Sequence, residues 1–368
     1  MVRLPGSLLW FLTTAFRFFP WPTRTGLRPV GNPDPDSPVV LTCNFALTAA
    51  RVKRALQGLD VWLLVANSRG INVWCAAGGG YLTTHEAVSA LKTTGVDKRV
   101  THRRVILPQL AAVGIEEDQV RERTGWEVIW GPVDARDLPA FLRGEDALHM
   151  RQVGFGLQER VEMAIMWAAP LSLLALTTPL FWPTGFLPLL VLIWGLTMAV
   201  YLAFPLYERL MARGSLAGFA GFVLPWGGLT LIGTVAVGAL LGCLNPPFLL
   251  RWGGIALGLL LVLAFDLAGS TPLYKSWTHA DRRHRVTLEP ERCIACGRCA
   301  QVCPRGVFTV KGIASLTHAG RCEQCGACIV QCPTDALAFT TSTGERIPPQ
   351  AVRRYKLNLM GRRRRSSS

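Results

Sequence analysis

Eight of the eleven cysteines fall in two copies of one spacing. The first copy is Cys293, Cys296, Cys299 and Cys303 followed by Pro304; the second is Cys322, Cys325, Cys328 and Cys332 followed by Pro333. Thiolates at this spacing are the ligand run of a pair of [4Fe–4S] clusters. A cubane needs four thiolates at tetrahedral corners; three come from one loop, and the last cysteine of each run reaches the other cluster. The expected ligand sets are therefore Cys293, Cys296, Cys299 and Cys332 for one cluster, and Cys322, Cys325, Cys328 and Cys303 for the other. Zinc knuckles or disulfides also use paired cysteines, but two full runs each closed by Cys-Pro argue against both. The chemistry is one-electron transfer at low potential. Reduced thiols and exposed clusters require a reducing compartment, the cytoplasm.

Cys293 and Cys322 stand 29 residues apart, so the cluster segment is an internal duplication of one hairpin-and-helix unit. Gly297 and Gly326 fall inside the two loops, where the backbone must wrap closely around inorganic sulfide. The segment 286–341 is expected to be a small α+β domain of the dicluster ferredoxin type.

The remaining cysteines are Cys43, Cys75 and Cys243. Segments 39–42, 61–65, 104–107 and 126–130 read as buried strands, and 46–57, 84–94, 116–124 and 135–143 as helices between them. This alternation predicts an α/β, Rossmann-like domain over 38–150 with a parallel sheet. Thr83 or Thr84 can cap the second helix and Gly95 can end it. Ligands of such sheets bind beyond the carboxyl ends of the strands, which is where Cys43 and Cys75 fall. Cys75 lies in Asn72-Val73-Trp74-Cys75-Ala76-Ala77-Gly78-Gly79-Gly80, whose small residues let a large group approach the backbone. The glycine run lacks the Lys-Ser/Thr of a phosphate loop. Taken alone, a cysteine there is a small buried hydrophobe more often than a ligand.

Asn-Val-Trp-Cys-Ala-Ala-Gly resembles the cap-helix signature of the corrinoid protein of microbial mercury methylation, whose wider family includes the large subunit of the corrinoid iron–sulfur protein of acetyl-CoA metabolism. Ser68-Arg69-Gly70-Ile71, Thr101-His102-Arg103-Arg104, Leu107-Pro108-Gln109-Leu110 and Gly131-Pro132-Val133 are similar too. The mercury family joins a corrinoid domain to a membrane domain and works beside a separate ferredoxin, so this chain looks like a fusion of the two partners. The resemblance implies that Cys75 is the lower axial ligand of cobalt, with a corrinoid cradled by Asn72, Val73, Trp74, Ala76, Ala77 and Gly78, and that the clusters restore Co(I). Cys43 is a further candidate for that site. His102 beside Arg103 and Arg104 reads either as a corrin contact or as a solvated side chain. In two places the chain departs from the family. Gly79 replaces the lysine after Ala-Ala-Gly, and no cysteine pair follows Cys332 to carry Hg(II). Both leave the methyl acceptor open between Hg(II) and another group.

The chain is 50% hydrophobic and only 17% charged, with a mean hydropathy of +0.29, beyond what a soluble domain carries. The excess is local. Four apolar spans, near 162–181, 185–205, 217–242 and 248–269, predict an α-helical transmembrane bundle over 160–270. Arg209 and Arg213, then Lys275, Arg282, Arg283 and Arg285, place both termini on the cytoplasmic side of the inner membrane. Asp266 falls inside the fourth span, either near its interface or facing the bundle interior.

Ser7–Phe19 is apolar but too short to span, and no signal-peptide cleavage site follows it. It reads as an interfacial helix, and Pro20–Pro38 as a linker, together occupying 1–37. The net charge of +15 owes much to Arg353, Arg354, Lys356 and Arg362–Arg365, in a tail (350–368) expected to be disordered. After a membrane domain, anionic lipid rather than nucleic acid is the partner such a tail suggests.

The expected function is membrane-anchored corrinoid methyl transfer with a fused reductase. A methyl-donor protein or methyltransferase and an upstream low-potential electron donor are its expected partners. The alternatives are a membrane [4Fe–4S] electron-transfer protein without methyltransferase activity, and a corrinoid carrier or sensor without turnover.

Overall fold

The computed structural model describes residues 6–180, 182–211, 216–270, 284–341, 343–357 and 363–365. Arg213, Lys275, Arg282, Arg283 and Arg362, used above for charge arguments, lie outside them. The chain divides into two compact units, 1–17 with 154–279, and 18–153 with 280–368.

The chain opens with α1 (Gly6–Ala15), which belongs to the helical unit. The α/β domain follows: β1 (Gly26–Val30), β2 (Val39–Cys43), α2 (Ala46–Ala55), β3 (Val61–Ala66), α3 (Val73–Gly78), α4 (Thr84–Thr93), β4 (Arg104–Pro108), α5 (Glu117–Thr124), β5 (Glu127–Gly131) and α6 (Leu138–Leu142). Its strands form a five-stranded sheet in the order β1-β3-β2-β4-β5, all parallel except β1, which runs antiparallel to β3. β2 and β3 are apolar runs buried on both faces, as a sheet covered by helices requires. Thr83 caps α4, with Glu86 closing a capping box, and Gly95 follows at φ +70°. The expectation of a linker over 20–38 needs correction, because 26–30 is the edge strand β1. Pro29 hides it in the sequence, and an edge strand is where a sheet tolerates proline.

The helical unit continues with α7 (Leu157–Ala175), α8 (Phe186–Leu202), α9 (Phe204–Met211), α10 (Leu216–Leu240) and α11 (Pro246–Ser270). Three stretches, Leu157–Leu180, Ala220–Leu240 and Pro246–Leu267, are long and apolar enough to cross a membrane; Phe186–Leu202 is apolar but shorter. α1 packs on α7 through Ala15 against Ile165 and Ala169, so it is built into the unit rather than only lying at an interface. Asp266 is buried, and its Oδ2 accepts a 2.5 Å hydrogen bond from Tyr201 Oη. It therefore faces the interior of this unit.

The C-terminal domain comprises β6 (His284–Leu288), α12 (Arg298–Gln301), β7 (Phe308–Lys311), β8 (Ile313–Leu316), α13 (Ala327–Val330), β9 (Leu337–Thr341), β10 (Arg346–Ile347) and α14 (Pro349–Arg354). β7 pairs with β8, and β9 lies between β10 and β6. The expected disorder of 350–368 is corrected in part. Val352 is buried in the core of this domain, and β11 (Tyr355–Leu357) pairs with β12 (Arg363–Arg365). The cause is ion pairing: Arg353 meets Asp335 at 2.6 Å and donates at 2.9 Å to the Cys332 carbonyl, so basic residues that read as solvated are partnered.

Candidate functional site

α3 starts from a cap. Asn72 is extended, and its Oδ1 accepts from the Cys75 N–H at 2.9 Å, which fixes the first turn. Val73, Ala76 and Ala77 turn into the core, while Trp74, Cys75, Gly78 and Gly79 are half-exposed. Cys75, Gly78 and Gly79 share one face by their three- and four-residue spacing. A Cβ at Gly78 would meet nothing within 4 Å, whereas one at Gly79 would stand 3.3 Å from the Tyr81 ring. The face thus carries one sulfur, with an uncrowded glycine and an aromatic ring beside it.

The place of α3 follows from the sheet order. The chain passes from β2 to β3 on one side and returns to β4 on the other, so the order reverses between β2 and β4. That is where open α/β sheets bind ligands. α3 comes from β3 and packs on the 3-10 turn Gln109–Val113 that follows β4. Gly114 permits the contact: a Cβ there would stand 2.8 Å from the Ala77 carbonyl and 2.4 Å from that of Leu82. Cys43 ends β2 in the fully buried core, where burial raises its thiol pKa, and presents no surface to a ligand. His102 lies at the opposite edge, its Nε2 3.0 Å from the Ser37 carbonyl, away from Cys75.

One positioning residue escaped the sequence. Asn44 Oδ1 accepts from Ser68 N at 2.8 Å, Ser68 Oγ at 2.9 Å and Gly70 N at 2.9 Å, holding the loop that leads into α3. A buried polar residue directly after an apolar strand was the available signal.

The eight paired cysteines gather in two groups. Cys293, Cys296, Cys299 and Cys332 line one cavity of the C-terminal domain. Cys322, Cys325 and Cys303 are the thiols that act most on Cys328, with Cys299 of the first group next. Burial pushes Cys299 up to about 12 and raises Cys328 too, so without iron both thiols hold their protons. Each group receives two backbone N–H···S bonds: Ala314 to Cys293 at 3.5 Å and Ala336 to Cys332 at 3.2 Å in one, Val307 to Cys303 and Gln324 to Cys322 at 3.4 Å in the other. Gly297 and Gly326 take φ of +78° and +84°, turning each loop into its helix. Both groups have the donor chemistry of an iron–sulfur cubane.

The two chemistries meet. Gln331, 3% exposed, donates through Nε2 to the carbonyls of Ala112 at 2.7 Å and Ile115 at 2.6 Å, and its Oε1 accepts from Glu117 N at 3.3 Å. Arg298 pairs with Glu117 at 2.7 Å and Asp118 at 2.6 Å. Arg353 reaches Glu116 at 3.7 Å. Val302 and Ala327 sit in the core of the α/β domain itself. The Arg298 hydrogen bond holds Asp118 below the ordinary carboxylate range. Burial raises Glu117 despite its bonds from Trp130 and Arg298. The sequence showed the cysteines but not these docking residues, because each reads as an ordinary surface polar group.

A half-exposed thiol on a capped helix near a switch point thus shares its unit with a module of two cysteine groups. Both parts have counterparts among known proteins. Residues 15–142 match the family described as CO dehydrogenase/acetyl-CoA synthase delta subunit, and residues 285–333 match the 4Fe-4S dicluster domain. The chain is 35% identical over 125 residues to the acetyl-CoA decarbonylase/synthase complex subunit gamma of Archaeoglobus fulgidus, covering 33% of this chain and 26% of that protein. It is 42% identical over 117 residues to subunit gamma 2 of Methanosarcina mazei, covering 31% and 24%. The chain thus spans about a quarter of the length of these curated relatives. They belong to the wider family named from the sequence rather than to its mercury-methylating branch.

Proposed function

We propose that the chain is a membrane-anchored corrinoid methyl carrier with its own reductase attached. The observation that carries this is the docking of the cluster domain, through Gln331, on the turn that supports the Cys75 helix. Bound there, a corrinoid would supply the cobalt that accepts and donates a methyl group. Cys75 would hold the cobalt through its thiolate, a soft donor for a soft metal. Asn72 sets the direction of that sulfur by holding the first turn, and Trp74 borders the face that carries it. Val73, Ala76 and Ala77 support the helix from beneath. Cys293, Cys296, Cys299 and Cys332 would hold one [4Fe–4S] cluster, and Cys322, Cys325, Cys328 and Cys303 the other.

The docking also bears on the membrane. Domains on either side of the helical unit in sequence can meet only if the chain crosses an even number of times. With Phe186–Leu202, about 25 Å long against a hydrocarbon core of about 30 Å, as a fourth crossing beside the three longer stretches, the number would be even. The gamma subunits named above belong to a complex, and a methyl-donor protein is the corresponding partner here. Hg(II) is one candidate acceptor; Gly79, where the mercury family has lysine, speaks for another.

The test is metal analysis of anaerobically purified protein beside Cys75→Ala. About eight irons and one cobalt per chain, with a visible spectrum altered in the variant, is the expected result. Eight irons and no cobalt, even after reconstitution with a corrinoid, would overturn the methyl carrier and leave a membrane electron-transfer protein.

A further inference from the structure

The duplication makes its two halves a comparison of like with like. The 29-residue offset sets Ile294, Ala295 and Cys296 against Glu323, Gln324 and Cys325. In the first loop all three are exposed, Ile294 at 62%. In the second, Glu323 is buried, and Cys325 packs against the core of the α/β domain. α13, which follows the second loop, touches the turn Gln109–Val113, and that turn carries α3. On its other side the second loop is covered by α14, where Val352 would lie 3.2 Å from a Cβ at Gly326. What separates the groups is how their loops are covered, since from the first loop it is Arg298, between Cys296 and Cys299, that reaches Glu117 and Asp118.

We propose that the two cysteine groups have fixed and different places in the electron path. Cys293, Cys296, Cys299 and Cys332 form the entry, open to solvent at Ile294–Cys296. Cys322, Cys325, Cys328 and Cys303 form the exit, sealed between α14 and the α/β domain and adjoining the support of the Cys75 helix. A one-electron, low-potential donor protein is oxidised as it reduces the entry cluster. The entry cluster would pass its electron to the exit cluster, and the oxidant that takes it from there would be the cobalt of a corrinoid held at Cys75. Gln331 is the positioning residue: at the end of α13, the helix of the exit loop, and just before Cys332 of the entry group, it ties that helix to the segment beneath α3. The order of use rests on the function proposed above, whereas the placement of the clusters does not.

The placement is tested without any corrinoid. Full-length protein carrying Cys243→Ser, with clusters reconstituted, is labelled at Cys75 with a thiol-reactive nitroxide, Cys43 being buried. A reduced cluster speeds relaxation of the nitroxide in proportion to the inverse sixth power of distance. The expected result is that this enhancement survives Cys296→Ala and is lost in Cys325→Ala. The reverse pattern, or equal loss in both, overturns the placement. Should either variant lose both clusters, the protein without cluster substitutions decides. A water-soluble chromium(III) complex should broaden one of two reduced-cluster signals and spare the other, and equal broadening of both overturns it as well. Absence of cobalt binding would sink the methyl carrier and leave these readouts unchanged.

Discussion

Gln331→Ala tests whether the cluster domain is held on the α/β domain by a few buried hydrogen bonds. The side chain is 3% exposed and serves three backbone groups: the carbonyls of Ala112 and Ile115 and the amide of Glu117. A buried group left without its partner costs about 1–3 kcal/mol. With water refilling part of the gap, three such groups come to about 3–5 kcal/mol, or roughly two to three and a half orders of magnitude in the docking equilibrium. Hydrogen exchange reads this directly, because the Glu117 amide is itself one of the bonded groups. Its exchange should speed up by that factor while iron content and the exchange of the β2 and β3 amides stay as they were. Gln331→Glu keeps the shape but sets a carboxylate against two carbonyls, so it should open the contact at least as far. A Glu117 amide that speeds up less than tenfold in both variants, with iron retained, would refute the reasoning and shift the holding force to the apolar contacts of Val302 and Ala327.

Gly114→Ala should lower the thermal midpoint of the α/β domain, because the new Cβ meets only backbone atoms of Ala77 and Leu82, and overpacking of this kind costs about 1–3 kcal/mol. An unchanged midpoint would show that the turn can retreat from α3. The docking contact should also respond to pH in two opposed limbs. Asp118, lowered by Arg298, contributes stability above the ordinary carboxylate range and loses it as pH falls through its depressed value. Glu117, raised by burial, favours the folded state when it takes its proton, so stability rises first as acid is added. Exchange of the 112–118 amides against pH should show a shallow maximum; Glu117→Gln should flatten its upper limb and Asp118→Asn its acid limb.

Much of the candidate site was legible because the chemistry it suggests needs residue types that serve little else. Eight cysteines at fixed spacing mark their loops whatever surrounds them. The strands at 39–42 and 61–65 were legible because burial on both faces leaves an unbroken apolar run. β1 was not, since Gly26-Leu27-Arg28-Pro29-Val30 follows no period and gains its place only by pairing with β3. Val73, Ala76 and Ala77 show a related limit. A motif names the residues of a binding helix, and only the packing separates those that face the ligand from those that face the core. Arg298, Gln331 and Arg353 were illegible for a third reason, because the groups they bond lie some 180 to 240 residues earlier in the chain.

That separation governs how the protein is made. Asp118 leaves the ribosome 180 residues before Arg298, and Ala112 does so 219 residues before Gln331. At about 5–20 residues per second, the docking edge waits roughly 10–45 s for its partner. During that interval the apolar helices of the middle segment are synthesised, and the turn Gln109–Val113 and the start of α5 stand uncovered. The C-terminal domain is therefore a late-arriving cover for an edge that must persist, folded and unpaired, through the whole synthesis of the apolar helices.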